Sequence, residues 1–308
     1  MPDDSLLELD SIAVRASAAV IGRPLNVIES DSSVYVLDGD YQKIVEFDLH
    51  GGFRRVVMGG YGEGPGEFVR PKSMDVGEDG TFVVMDDNAN RITLFTPAGD
   101  YKSSFLHDVP NDIELVASDG RIFVLRRLPD RAGVAPVVVL DRSGAVIDSM
   151  AVGTDQDGEL AMFGEPGALG KTRDGAPIFG KPGPAAFWIM GEGAPRGPEF
   201  FPEAHGFIRE MRGYQVRMSP VGTRGIGQLP DGRIVVFYQE YDPDAEVFDY
   251  YIDVLSIGGE YLGSAAIPSD YSLGRMSPSR YGPQLYFTFH NRTTGGVRMT
   301  LQEVSGAR

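Results

Sequence analysis

The chain of 308 residues has no cysteine. That excludes disulfides, thiolate metal sites and cysteine nucleophiles together. Histidine is scarce, at 4, and tryptophan occurs once. Positive charge is also in short supply: Lys and Arg total 28 against 44 Asp and Glu, a net charge of −16. Nucleic acids and anionic membranes both reward Lys and Arg, so neither is expected as a partner. Nowhere does an apolar run approach the roughly 18 residues that a membrane-crossing helix needs, so no transmembrane segment is read. The opening MPDDSLLELD has neither the basic nor the apolar region of a signal peptide. The compartment stays open: periplasmic or extracytoplasmic if a leader was removed, cytoplasmic otherwise.

Glycine, at 40, and proline, at 21, are plentiful beside 42% hydrophobic residues, as in a folded, turn-rich protein with a sizeable core. Residues 33–52, SVYVLDGDYQKIVEFDLHGG, align without a gap on residues 81–100, TFVVMDDNANRITLFTPAGD. Val36 meets Val84, Asp38 meets Asp86, Ile44 meets Ile92, Phe47 meets Phe95 and Gly51 meets Gly99. Each unit reads as strand, polar turn, strand and glycine turn, with β-branched and aromatic residues in the strands. An inner strand precedes it, joined by a turn such as Glu78-Asp79-Gly80. That turn recurs at Asp119-Gly120, Asp174-Gly175 and Asp231-Gly232, and the later glycine turn at Gly144, Gly193 and Gly258-Gly259. A fixed period of four short strands is the signature of propeller blades.

The expectation is therefore an all-β, six-bladed β-propeller forming one domain. Its blades lie near residues 25–57, 68–108, 112–152, 165–200, 222–267 and 272–304. The last lacks a strand, and the segment at 6–14 has no other evident partner, so it is expected to complete that blade and close the ring. Residues 62–105, GEGPGEFVRPKSMDVGEDGTFVVMDDNANRITLFTPAGDYKSSF, resemble an NHL repeat, with a GxGPGEF lead-in, a D..N.RI..F core and a final glycine turn. The chain also resembles the divergent bacterial six-bladed propellers that carry one or two such repeats. The resemblance implies the fold; NHL propellers include scaffolds, lyases and ligand binders.

Spacing between turns leaves about five extra residues in RRLPDRAGVAP, 126–136, and about eight in YQEYDPDAEVFDY, 238–250. Both fall on one face, together with the links at 59–68 and 194–221. Long loops on a rigid ring are where binding surfaces are placed. Arg126, Arg127, Arg131, Arg209, Arg212, Tyr238, Tyr241 and Tyr250 are the candidate contact residues for a protein partner. Within 205–218, the spacing of Phe207, Ile208, Met211 and Tyr214 predicts a short amphipathic helix.

No catalytic residue, cofactor or metal is assigned. His50, His107, His205 and His290 do not fall at equivalent places around the ring. Asp86-Asp87-Asn88-Ala89-Asn90 begins like a calcium loop, but Arg91 stands where its glycine belongs. Asp86 and Asn90 are instead expected to satisfy backbone donors in the turn, as Asp38 does in the first blade. GEPGALGKT, 164–172, lacks the spacing and the following helix of a phosphate loop. The reading favours a non-enzymatic interaction propeller, a scaffold or accessory subunit of a larger assembly. By analogy alone, that class includes membrane-associated electron-transfer and photosynthetic complexes. The alternatives are a lyase or hydrolase at the channel mouth, with Asp75 as a candidate carboxylate, and a carbohydrate or peptide binder.

Overall fold

The computed structural model describes residues 7–14, 21–30, 32–107, 112–126, 137–150, 167–180, 187–191, 207–211, 214–218, 221–242, 247–267, 273–279, 284–289 and 296–303. Strand β1 (Leu7–Val14) comes first. Blade one is β2 (Pro24–Glu29), β3 (Ser33–Asp38), β4 (Lys43–Asp48) and β5 (Phe53–Gly59). Blade two is β6 (Pro71–Val76), β7 (Phe82–Asp86), β8 (Arg91–Phe95) and β9 (Tyr101–Leu106). Blade three is β10 (Asp112–Ser118), β11 (Arg121–Arg126), β12 (Val137–Leu140) and β13 (Val146–Met150). Three strands of blade four are described, β14 (Ala168–Lys171), β15 (Pro177–Gly180) and β16 (Phe187–Ile189). A hairpin follows, β17 (Phe207–Met211) with β18 (Tyr214–Met218). Blade five is β19 (Val221–Gln228), β20 (Ile234–Asp242), β21 (Val247–Leu255) and β22 (Tyr261–Ile267). Blade six contains β23 (Leu273–Pro278), β24 (Gln284–Phe289) and β25 (Gly296–Glu303). Its sheet runs β1-β25-β24-β23, with Leu7 opposite Glu303 and Val14 opposite Gly296.

Middle strands read as unbroken apolar runs because both of their faces are covered. In β7 all five residues are buried, and they alternate between two cores. Val84 packs with Leu37 and Ile44 of blade one, whereas Val83 and Met85 pack with Leu115, Ile122 and Val124 of blade three. The same division recurs between blades three and four around Phe123 and Phe179, between four and five around Ile178 and Ile226, and between five and six around Phe237 and Phe287. Tyr286 of blade six joins Val27, Val36 and Val45 of blade one. The core is thus six interblade layers in a circle, with the inner strands β2, β6, β10, β14, β19 and β23 lining a central channel.

Among the described residues the inner strands form no ladder with one another. Side chains join them instead. Asn26 Oδ1 accepts from Met74 N at 2.8 Å, Ser73 Oγ from Leu115 N at 3.2 Å, and Glu114 Oε2 from Leu169 N at 2.9 Å. Asp75 accepts from Ala117 N at 2.7 Å. Where β14 and β19 approach, Gly170 is required: a Cβ there would lie 1.9 Å from the Ile226 carbonyl oxygen.

Two expectations change. Residues 207–211 and 214–218 form a β-hairpin, with Met211 opposite Tyr214, where a helix was expected. The separation of its strands by only two residues, Arg212 and Gly213, was the overlooked hairpin signal. The eight extra residues of blade five do not make a loop either. They lengthen β20 and β21 to nine residues each, against five in β7 and β8, with the same four-residue connection. At about 3.4 Å per residue, the hairpin gains roughly 13 Å on the face that carries the links.

Candidate functional site

Strand direction sorts the turns. Connections 39–42 and 87–90, the link 60–70 and the end of the β20–β21 hairpin share one face, here called the linker face. The turns at 77–81, 96–100, 172–176 and 229–233 share the other.

On the linker face, Asp38 accepts from the backbone N–H groups of Gly22 (2.9 Å), Arg23 (3.2 Å), Asp40 (2.9 Å) and Tyr41 (3.2 Å). Asp86 accepts from Val69 (2.7 Å), Arg70 (3.0 Å) and Ala89 (3.2 Å). These carboxylates hold each turn to the link that enters the same blade, which occupies their lone pairs with backbone donors. Asn90 serves differently, by taking a left-handed conformation at φ 44°. In the GxGPGEF link, Glu67 accepts from Gly64 N at 2.8 Å, and Arg91 donates to the carbonyls of Glu63 (2.8 Å) and Glu67. Gly59, at φ 104°, lies where a Cβ would meet the Gln42 carbonyl at 2.5 Å. Phe68 is fully buried edge-on to Phe95, while Tyr61 stands 76% exposed on this braced loop.

The candidate contact residues divide. Arg126 and Tyr238 occupy the place that Asp38 and Asp86 hold in their blades, since Asp112 pairs with Arg126 and Thr223 with Tyr238 as Pro71 does with Asp86. Tyr238 is half-buried and stacks on Tyr251 at 5.4 Å. Burial raises its phenol pKa, helped by the carboxylates of Asp253 and Glu240. Tyr241 lies on the hairpin extension opposite Phe248. Tyr250 does not belong with the contact residues: it is 5% exposed and stacks on Phe237 in the core between blades five and six. Alternation explains this, because neighbours in a strand point to opposite faces and Tyr250 shares its face with Ile252. Arg209 lies on β17, whereas Arg127, Arg131 and Arg212 lie outside the described residues.

Sequence reading missed Asp253. It is 3% exposed on β21, accepts from Ser264 Oγ at 2.7 Å and from Tyr238, and burial pushes its pKa up to about 6. Because the folded pKa lies above the ordinary 3.8, the penalty is nearly absent at pH 3, well below both values; the cost grows as pH rises and is complete above pH 6. Asp253→Asn should therefore gain about 3 kcal/mol relative to the parent between pH 3 and pH 7. Urea unfolding at the two pH values measures it. An unchanged difference between the proteins would show that Asp253 ionises normally in the fold.

Along the channel the ionisable groups are paired across the ring. Lys171 Nζ lies 2.6 Å from Asp75 and donates to the Val76 carbonyl at 2.7 Å, joining blade four to blade two past blade three. Arg275 of blade six lies 3.6 Å from Glu114 of blade three, on the far side of the channel. Burial raises the pKa of Glu114, opposed by Arg275 and the Leu169 N–H. The cavity left in the channel is about 90 Å³, well below the ~300 Å³ of a drug-sized pocket. Among the described residues no three His, Asp or Glu side chains converge as a metal site, and no helix is long and apolar enough to cross a membrane.

Residues 7–158, just short of half the chain, match a family described as a 6-bladed beta-propeller. The chain is an all-β propeller. A DUF4221-family protein from Bacteroides vulgatus superposes with a TM-score of 0.65 at 12% identity, over 98% of this propeller and 100% of that chain. A second protein, from Bacteroides fragilis, gives 0.64 at 11% identity, over 98% and 97%. Virginiamycin B lyase from Staphylococcus aureus gives 0.55 at 13% identity, over 96% and 100%. At such identities the likeness extends to the fold of the propeller alone. No curated protein matches the sequence.

Proposed function

We propose that this propeller, read as a divergent NHL-like one, is a non-enzymatic interaction module, an accessory subunit that docks through its linker face. The observation that carries the reading is the extended β20–β21 hairpin. It raises a paired strand surface about 13 Å above the ring, with the Tyr238–Tyr251 stack at its base and Phe248 41% exposed. From Ile234 to Leu255 it holds six acids and no Lys or Arg, and Glu240 lies directly opposite Asp249. Like charges paired across a ladder cost stability in the isolated protein, and a partner carrying basic residues would offset that cost. Aromatic rings fixed on strands anchor interfaces at low entropic cost.

The channel supports the same reading. Asp75, the candidate carboxylate for a lyase or hydrolase working there, is already bound by Lys171 and the Ala117 N–H. The test is the size of the native species. Gel filtration of native extract should place the protein well above its monomer mass. A variant with residues 240–249 trimmed to a four-residue turn should keep its melting transition and elute as monomer. Native protein running as free monomer overturns the proposal.

A further inference from the structure

The cavity in the channel belongs to the turn face. Its lining comes from all six blades and runs from Asn26 and Glu114, at its inner end, to Thr172, Arg173 and Gln228 beside the 172–176 and 229–233 turns. The residues that begin the inner strands on the linker face, such as Pro24 and Pro71, take no part in it. Its mouth is braced by bonds between blades. Ser118 Oγ donates to the Gly175 carbonyl at 2.7 Å, Glu78 accepts from Asp119 N at 3.0 Å, and Arg173 donates to the Pro230 carbonyl at 3.0 Å. An opening fixed in advance lowers the cost of binding.

Inside, bonds that cross from blade to blade place polar side chains in the channel and leave part of each unused. Asp75 meets both the Ala117 N–H and Lys171 through Oδ2, while its Oδ1 accepts no hydrogen bond from the described residues. Asn26 gives its Oδ1 to the Met74 N–H, and its amide NH2 donates to none of them. Lys171 Nζ has three N–H groups and two acceptors, Asp75 and the Val76 carbonyl. Asn26 and Asp75 are only 6% and 8% exposed. Polar groups so placed are costly to leave unpaired, so a molecule that bonds to them is favoured.

We propose that this pocket binds a vicinal diol, as a small polyol or as the end of a sugar, through Asp75, Asn26 and Lys171. A hydroxyl donates and accepts at one atom. Two adjacent hydroxyls can therefore give a hydrogen to Asp75 Oδ1 and take those of Asn26 and Lys171. The ligand is uncharged, because Lys171 stands against Asp75 and Arg275 against Glu114, which leaves no lone charge for an ion to answer. Size points the same way. A cavity of about 150 Å³ takes benzene, and on that scale the 90 Å³ here takes about four heavy atoms. Those are the two carbons and two oxygens of one diol unit, with the rest of a longer molecule in the open mouth. Apolar walls from Val27, Leu115 and Ile226 suit its C–H groups. The site lies on the face opposite the β20–β21 hairpin and does not depend on docking there.

Methyl NMR of the full chain labelled at methionine tests the site, because Met74 and Met276 line the cavity whereas Met58 and Met85, also buried, do not. Ethylene glycol and glucose are titrated separately, beside 1,2-dimethoxyethane, which keeps the two oxygens and lacks the donors. At least one of the two diols should shift the Met74 and Met276 methyls saturably and leave Met58 and Met85 in place. The diether should do neither. Glucose binding more tightly than ethylene glycol marks a sugar site; the reverse order marks a site for small polyols. Asn26→Ser keeps an acceptor for the Met74 N–H, as Ser73 provides one for Leu115, but removes the amide donor. It should weaken the diol about tenfold. If Asn26→Ser unfolds, the contrast between diol and diether in the parent still decides the matter. No saturable shift at Met74 and Met276, equal shifts with the diether, or equal affinity in the parent and Asn26→Ser overturns the proposal.

Discussion

A chain beginning at residue 21 should lose its single cooperative melting transition, or melt at least about 10 °C lower than the parent. The reason lies in how the last sheet is completed. β1 contributes the outer strand of blade six through eight consecutive register pairs with β25. It is the one strand of that sheet drawn from the other end of the chain. Without it β25 presents an open edge, and the contact between the two ends of the chain rests on the packing of Tyr286 with blade one and the hydrogen bonds of Glu29 to Ser279 and to the Tyr286 hydroxyl (2.8 Å). For a domain of this size a drop of about 10 °C corresponds to roughly 3–5 kcal/mol. Scanning calorimetry of the truncated chain measures it. An unchanged transition would mean that β1 does not close the ring.

Lys171→Met should cost about 3–5 kcal/mol, the range found when one member of a buried ion pair is removed. Lys171 and Asp75 side chains are only 8% and 11% exposed. The substitution leaves the Asp75 carboxylate facing the space that the ammonium filled, with the Ala117 N–H still donating to it. Adding Asp75→Asn removes the stranded charge, so the double variant should recover part of the loss. Urea unfolding of the two single variants and the double gives the coupling directly. Strict additivity would show that the two groups do not interact across the channel.

Much of the fold was legible because turns and strand composition recur wherever the backbone demands them. The Asp-Gly turns and the D..N.RI core mark blades one and two even to the eye, and both faces of β7 are apolar because both are packed. The stitching between inner strands was not legible. Asn26, Ser73 and Glu114 occupy one ring position and perform one task, catching the N–H of the next blade. Three different side chains satisfy the same geometry, so no repeat shows in the sequence. In blade five the position is Gly225, where a Cβ would strike the Met276 carbonyl at 2.6 Å. The hairpin extension misled for a related reason. Acidic and tyrosine-rich residues read as a loop by composition, yet alternation within β21 puts Tyr250 on the face opposite Tyr251, the partner of Tyr238. Asp253 gave no signal, since its burial follows from the neighbours that strand pairing brings to it.

The hydrogen bonds between inner strands also bear on how such a ring can be rearranged. Each blade is fitted to a named neighbour: Asn26 is placed for Met74, Ser73 for Leu115, Glu114 for Leu169. Gly225 makes room for the backbone of the blade beside it. The blades are alike in outline and unlike at their seams. A copy of blade two spliced into the place of blade three would arrive with a serine where the fourth blade waits for a carboxylate, and without the counter-charge for Arg275. Order around the ring is thus written in the joints, and the molecule behaves as a sequence of specific neighbours more than as six interchangeable parts.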